Sequence, residues 1–225
     1  MQFDPVLIPP RQQAMTAAGF WRNQTINDFM AQALRQCPDH TAVVAYRSDV
    51  AQPVRLSYRA LDVQVDRVAR GLQSLGVVRG DVVSWQMPNW WEFLALALAC
   101  ARIGAVANPI MPIFRQRELK FMLDFGEAKV FIVPKTYKGF DYEAMANGMR
   151  ADLPFLQHLV VLDGEGDNSF ERLLLRDDTP ALTGPGLAPD DVLLLMYTSG
   201  TTGEPKGVMH SSNTLFANLH GFIDA

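Results

Sequence analysis

Cysteine is scarce in this chain: of 225 residues only Cys37 and Cys100 carry thiols, far apart and with no C-x-x-C or other metal-ligand spacing. That excludes a disulfide-stapled scaffold and a cysteine-based zinc site, and fits two reduced core residues of a cytoplasmic protein. An excess of positive charge is also missing. Twenty Lys and Arg stand against 24 Asp and Glu, a formal net charge of -4, and the basic residues are scattered. The electrostatic footprint of a nucleic-acid binder is therefore absent, and any anion must be gripped locally. No apolar run is long enough to span a bilayer, which needs roughly 20 residues; the most apolar stretch, Phe93 to Ile103, reads instead as a buried helix. The N-terminus has no basic region followed by an apolar core and a small-residue cleavage site, which argues against export. Internal repeats and low-complexity segments are lacking as well.

What is present is ordinary globular composition, 48% hydrophobic and 20% charged, enough to bury one large core or two small ones. The segment to about residue 20 contains Pro5, Pro9 and Pro10 and reads as an extended surface arm. Thr25 is placed to cap a helix with Asp28 three residues on, and Pro38 stops that helix after Gln36. Thr41–Tyr46 and Arg55–Tyr58 read as short strands of a hairpin. From Tyr58 the apolar period lengthens to that of a helix: Leu61, Val65, Val68, Ala69, Leu72 and Leu75 mark one face, and Gly76 ends it.

A strand over Asp81–Gln86 follows. Asn89 with Glu92 has the form of an N-cap and its acidic partner for a helix from Trp90 to Ile103 that is apolar on every side, closed by Gly104. The alternation continues with a strand Ala105–Asn108, a helix near Gln116 to Asp124, a strand Ala128–Val133, a helix from about Tyr142 to Met149 and a strand His158–Leu162. Loop-like stretches then surround a short helix at Phe170 to Leu175. Strands and helices taking turns with short connections predict an α/β fold, a mostly parallel sheet flanked by helices. Val192–Tyr197 is a continuous apolar run, predicted to be a strand buried on both faces.

Directly after that strand come Thr198, Ser199, Gly200, Thr201, Thr202 and Gly203, then Glu204, Pro205, Lys206 and Gly207. Glycines let the backbone turn sharply and present several N–H groups to one point, and hydroxyls add donors without bulk. Lys206 can bring a compact positive charge to a phosphate oxygen. A flexible surface turn has a similar composition. Two features favour phosphate binding: the cluster sits at the end of a buried strand, where open α/β sheets place ligands, and a lysine stands at a fixed offset. Walker A chemistry is excluded, because Pro205 and Gly207 stand where a Gly and a Ser or Thr are needed. A G-x-G-x-x-G dinucleotide fingerprint is absent.

Leu195 to Lys206 resembles the signature of the AMP-forming acyl-activating superfamily, which includes acyl-CoA synthetases, peptide-synthetase adenylation domains and firefly luciferases. Tyr197, Thr198, Ser199, Gly200, Pro205 and Lys206 all meet its required positions. Leu56–Leu61, Gly76–Asp81 and Ala101–Val106 stand where the family has similar runs, although Ala60 replaces a usual Glu, so the resemblance covers nearly the whole chain.

The resemblance implies an enzyme that joins a carboxylate to the α-phosphate of ATP, releases pyrophosphate, and passes the acyl-adenylate to a thiol, usually coenzyme A, with magnesium accompanying ATP. It implies that Thr198, Ser199, Gly200, Thr201, Thr202, Gly203 and Lys206 cradle the β- and γ-phosphates. The family's adenine and magnesium element, ribose aspartate and lid lysine follow this loop, and none occurs before Ala225. The chain stops inside an apparent helix, Asn213 to Asp224. We therefore expect an arm over 1–20 and, over 21–225, the N-terminal portion of an adenylation domain, with no complete catalytic set and no adenylation activity alone.

Ser212 occupies the position of a family histidine, and His210 lies two residues earlier. His40, His158, His210 and His220 show no triad or metal pattern. Trp85, Trp90, Trp91, Phe114 and Phe121 read as core, and Arg115, Arg117 and Lys120 as a solvated charged helix face. The stretch from Met15 to Asp28 resembles bacterial synthetases for short- to medium-chain fatty acids or cyclohexanecarboxylate, which points to fatty acid metabolism. Two other readings stay open: a carrier-loading adenylation domain, and a non-catalytic module retaining only an anion-binding loop.

Overall fold

The computed structural model describes residues 8–48, 50–198 and 205–223. Its centre is a six-stranded sheet of β3 (Val82–Trp85), β4 (Val106–Pro109), β5 (Ala128–Pro134), β8 (His158–Leu162), β9 (Leu194–Thr198) and β10 (Lys206–His210). Their spatial order is β10-β9-β4-β3-β5-β8. Every pairing in this sheet is parallel except β9 with β10. Two-stranded antiparallel ladders lie outside it: β1 (Thr41–Ala45) with β2 (Val54–Ser57), the expected hairpin, and β6 (Thr136–Tyr137) with β7 (Phe140–Asp141).

Helices cover both faces, because period-two burial in the strands sends alternate residues to opposite sides. Val83, Trp85, Ala107 and Ile132 enter one apolar cluster with α3 (Tyr58–Ser74), α4 (Trp91–Ile103) and α7 (Phe170–Leu174). Val82, Val106, Phe131 and Val133 enter the other, with α5 (Gln116–Phe125) and α6 (Tyr142–Met149). The predicted α/β architecture is thus a three-layer sandwich.

Local chemistry explains most boundaries. Thr25 caps α2 (Ile26–Gln36) in a reciprocal box: its side chain accepts from the Asp28 amide, and Asp28 Oδ2 accepts from the Thr25 amide at 2.7 Å. The predicted face of α3 is the one that faces the core, with Leu61, Val65, Val68, Ala69 and Leu72 buried. Gly104 closes α4 at φ +73°, a left-handed conformation that glycine adopts without a side-chain clash. The Cys100 thiol is fully buried, and burial pushes its pKa up to about 12, consistent with an inert core residue.

Several expectations need correction. The N-terminal arm is not extended throughout: α1 (Pro9–Ala17) lies on the surface with no buried residue, and its prolines sit in the first turn, where a missing N–H costs nothing. The N-cap of α4 is Trp90, not Asn89, and it makes no side-chain capping bond. Arg115 is not simply solvated; its guanidinium lies 4.1 Å from the Phe140 ring centroid and donates to the Pro112 and Phe114 carbonyls. Phe114 and Phe121 are half-buried, packed against the α5–α6 cluster. Among the described residues no helix is long and apolar enough to cross a membrane.

Candidate functional site

The phosphate-loop candidate begins where β9 ends. β9 pairs antiparallel with β10 in the register Leu194–His210, Leu195–Met209, Met196–Val208, Tyr197–Gly207 and Thr198–Lys206. Thr198 and Lys206, the first and last of the expected phosphate contacts, are therefore brought together as direct partners at the mouth of a hairpin. Both are exposed. Ser199, Gly200, Thr201, Thr202 and Gly203 lie outside the described residues.

The mouth opens at the carboxyl edge of the parallel strands, since β9 runs parallel to β4, with Ala107 opposite Leu194. That edge is where α/β sheets hold ligands. The neighbouring loop after β4 is fixed from below: Gln86 Nε2 donates to the Met111 and Phe114 carbonyls at 2.9 and 3.0 Å, and the Tyr142 hydroxyl donates to the Pro112 carbonyl at 2.9 Å. Met111 and Ile113 are left exposed on it.

β9 is not buried on both faces as its apolar run suggested. Leu195 is buried on the α5 side, but Met196, pointing the other way, is 44% exposed. On that second face Leu194 is half-buried against the cluster holding Ala101 of α4, while Met196, further along the strand, stays open; apolar composition marks a residue that can be covered, not one that is. β10 was not foreseen as a strand, because Lys206 and Gly207 look like a continuation of the loop.

On the α5 side the hairpin meets a slot. The Tyr197 hydroxyl donates to the Met122 carbonyl at 2.6 Å, and burial pushes its pKa upward, so it stays a protonated donor. Sequence reasoning noticed Tyr197 only as a signature position and missed this contact, since nothing in a single sequence links it to α5.

Downstream, Ser211 caps α8 (Ser212–Ile223), its hydroxyl accepting from the Thr214 amide at 3.3 Å. Ser212, at the family's histidine position, is fully buried, and its hydroxyl has no hydrogen-bond partner. His210 ends β10 with a ring nitrogen 3.5 Å from the Thr214 hydroxyl. The Asn213 side chain, in a residue 2% exposed, accepts from the Asn23 backbone N–H at 3.0 Å and donates to Asn23 Oδ1 and Asp190 Oδ1 at 2.9 and 2.8 Å. No group of three or more His, Cys, Asp or Glu suited to a metal occurs among the described residues.

The described part of this arrangement can offer a hydroxyl and an ammonium to one anion at a sheet edge. Comparison with known proteins gives that geometry a context. Residues 29–224 match the family described as AMP-binding enzyme. The medium-chain fatty-acid–CoA ligase of Escherichia coli is 31% identical over 215 residues, 94% of this chain and 37% of that protein. The salicyl-AMP ligase / salicyl-S-ArCP synthetase of Mycobacterium tuberculosis is 35% identical over 87% of this chain and 34% of its own length. The apo structure of Mycobacterium smegmatis MbtA superposes with a TM-score of 0.80 at 30% identity, covering 94% of this chain and 38% of that one. The chain thus spans well under half the length of these relatives.

Proposed function

The chain belongs to the AMP-binding enzyme family, and from that premise we propose that the protein containing it activates a carboxylic acid with ATP and transfers the acyl group to coenzyme A. Residues 21–225 would form the N-terminal portion of the adenylation domain. In the first step a carboxylate oxygen attacks the α-phosphorus, the bond to the bridging oxygen breaks, and pyrophosphate leaves; magnesium arriving with ATP would supply further positive charge. In the second step the thiol sulfur attacks the acyl carbonyl carbon, the bond from that carbon to the phosphate oxygen breaks, AMP leaves, and the thiol proton passes to solvent.

The observation that carries this reading is the pairing of Thr198 with Lys206 at the carboxyl edge of the sheet, across the ends of a hydroxyl- and glycine-rich run. In the proposed mechanism the Thr198 hydroxyl, the groups of Ser199, Gly200, Thr201, Thr202 and Gly203, and the Lys206 ammonium hold the β- and γ-phosphates. Such a grip aligns the α-phosphorus for attack and stabilises the leaving pyrophosphate, so positioning and electrostatics supply most of the acceleration. Adenine and ribose contacts would not come from this loop.

The Escherichia coli relative's name supports a fatty acid of medium length as the carboxylate and coenzyme A as acceptor. A second reading has its own support: the Mycobacterium tuberculosis relative is named for an aryl acid and a carrier-protein acceptor. The deciding experiment is carboxylate-dependent exchange of pyrophosphate into ATP by the full-length protein, with hexanoate, octanoate, cyclohexanecarboxylate and salicylate, followed by acyl capture with coenzyme A. Exchange with an aliphatic acid and formation of its CoA thioester are expected. Exchange with salicylate and no transfer to coenzyme A would favour the carrier-loading reading, and no exchange with any acid would remove the adenylation proposal.

A further inference from the structure

We propose that the Tyr197 hydroxyl is a positioning group, tying the β9–β10 hairpin to the last turn of α5 and so setting where Thr198 and Lys206 stand. This rests on the reading of the Thr198–Lys206 run as a polyphosphate grip. β9 is weakly held on its inner side: Ala107–Leu194 is its one register pair with β4 among the described residues. Pro109, at the end of β4, has no N–H with which to continue the ladder. Beyond Leu194 the stem is supported by β10, itself the edge strand of the sheet, by the buried Leu195 side chain, and by Tyr197, whose hydroxyl makes the bond nearest the run.

The support is a built slot. The Met122 carbonyl accepts both the Gly126 amide at 3.1 Å and the Tyr197 hydroxyl at 2.6 Å. A side chain at position 126 would put its Cβ 3.0 Å from that hydroxyl and 3.1 Å from that carbonyl. Opposite Tyr197 in the hairpin stands Gly207, where a Cβ would lie 3.3 Å from Phe125 Cε1 and 3.8 Å from Tyr197 Cε1. The Phe125 ring meets the Tyr197 ring edge-on at 6.5 Å between centroids. Two residues without side chains thus flank one phenol. Tyr197 immediately precedes Thr198, and Gly207 immediately follows Lys206, so the slot holds both ends of the run. A phenylalanine ring would fill the same space without the bond to α5, which separates positioning from packing.

The test is Tyr197→Phe in the full-length protein, read by carboxylate-dependent ATP–pyrophosphate exchange. Loss of one hydrogen bond acting on the grip should raise the KM for ATP about three- to tenfold and leave the KM for the carboxylate unchanged. Gly126→Ala should act in the same direction, and should add less in the Tyr197→Phe background than alone, because both disturb one contact. An unchanged ATP KM in Tyr197→Phe, or strictly additive effects, overturns the proposal. Amide hydrogen exchange over 194–198 and 206–210 reads the tether without catalysis: faster exchange confined to these strands supports it, and unchanged exchange overturns it. A wild-type protein that exchanges no pyrophosphate would count against the phosphate reading alone, and the amide measurement would still decide the tether.

Discussion

Thr198 and Lys206 are direct partners across the antiparallel pair β9–β10, so the glycine- and hydroxyl-rich run leaves the sheet and returns to it at one point. Bringing two loop ends together costs conformational entropy that the hairpin has already met on folding. In the proposed site, ends held together in this way would leave less ordering to be done on binding a ligand, which is the physical content of preorganisation. The hairpin also sets the lysine's distance from the strand end, which the sequence expresses only as an offset of residues.

Lys206→Ala follows from that placement. In the proposed site a compact ammonium opposite the Thr198 hydroxyl would supply charge-assisted bonds to phosphate oxygens, worth more than neutral ones. Its removal should lower kcat/KM for ATP by about 10- to 100-fold in the exchange assay. Unchanged rates and ATP affinity would remove Lys206 from the site.

Elements whose signals are local were legible in the sequence. The Thr25–Asp28 box, the helical face from Leu61 to Leu72 and the Gly104 stop each depend on neighbours a few residues away, and each stands in the structure as expected. What was not legible depends on distant partners. Met196 is as apolar as Leu195, yet which of them is covered is decided by where α5 packs. Arg115 belongs to a charged run, but the aromatic ring it covers comes from β7. The signature rests on residue types close together in the chain, whereas the Tyr197–Met122 contact joins residues 75 positions apart and leaves no trace in spacing.

Glu92 carries a pH prediction. It lies in the first turn of α4, only 4% exposed, with Oε2 lacking a hydrogen-bond partner. Burial pushes its pKa from the ordinary 4.5 up to about 7, opposed by its own backbone N–H and by the positive charge of Arg47, and aided by Asp163 and Glu171. The folded state therefore binds more protons than the unfolded state between these values, and stability contributed by Glu92 falls as pH rises through that window. Glu92→Gln should be the more stable form above pH 7, by at most about 3 kcal/mol, and should lose that advantage in acid. Urea unfolding of both forms across this range checks it; parallel pH profiles would show that Glu92 is not the titrating group.

Gly71 predicts a packing cost. A Cβ there would stand 2.6 Å from the Leu174 Cα and 2.8 Å from the Leu173 carbonyl oxygen, backbone atoms that cannot turn aside. Gly71→Ala gains roughly 0.5–1 kcal/mol of helix propensity but must push α7 off α3, with an overpacking cost of about 1–3 kcal/mol. Net destabilisation is expected in the urea midpoint. An unchanged or higher midpoint would mean that α7 moves away freely.

Asn213 is where three separate stretches of chain meet. Its amide accepts from the Asn23 backbone N–H and donates to Asn23 Oδ1 and Asp190 Oδ1, while its own backbone N–H donates to the Pro189 carbonyl. Asp190 Oδ2 in turn accepts from Gln12 Nε2 of α1 at 2.7 Å. One buried side chain therefore ties the start of α8 to the connection before β9 and, through Asp190, to the N-terminal helix. Asn213→Ala leaves the Asn23 and Asp190 groups without their partner and should cost about 2–3 kcal/mol in urea unfolding. Asn213→Asp preserves the shape but sets a second carboxylate against Asp190 and removes the donor, so at neutral pH it should cost more than the alanine variant. In acid, where carboxylates take up protons, the repulsion fades and a protonated acid regains a donor, so the aspartate variant should recover relative to alanine. If the two variants kept the same order and spacing at every pH, Asn213 would be acting through packing rather than through its bond to Asp190.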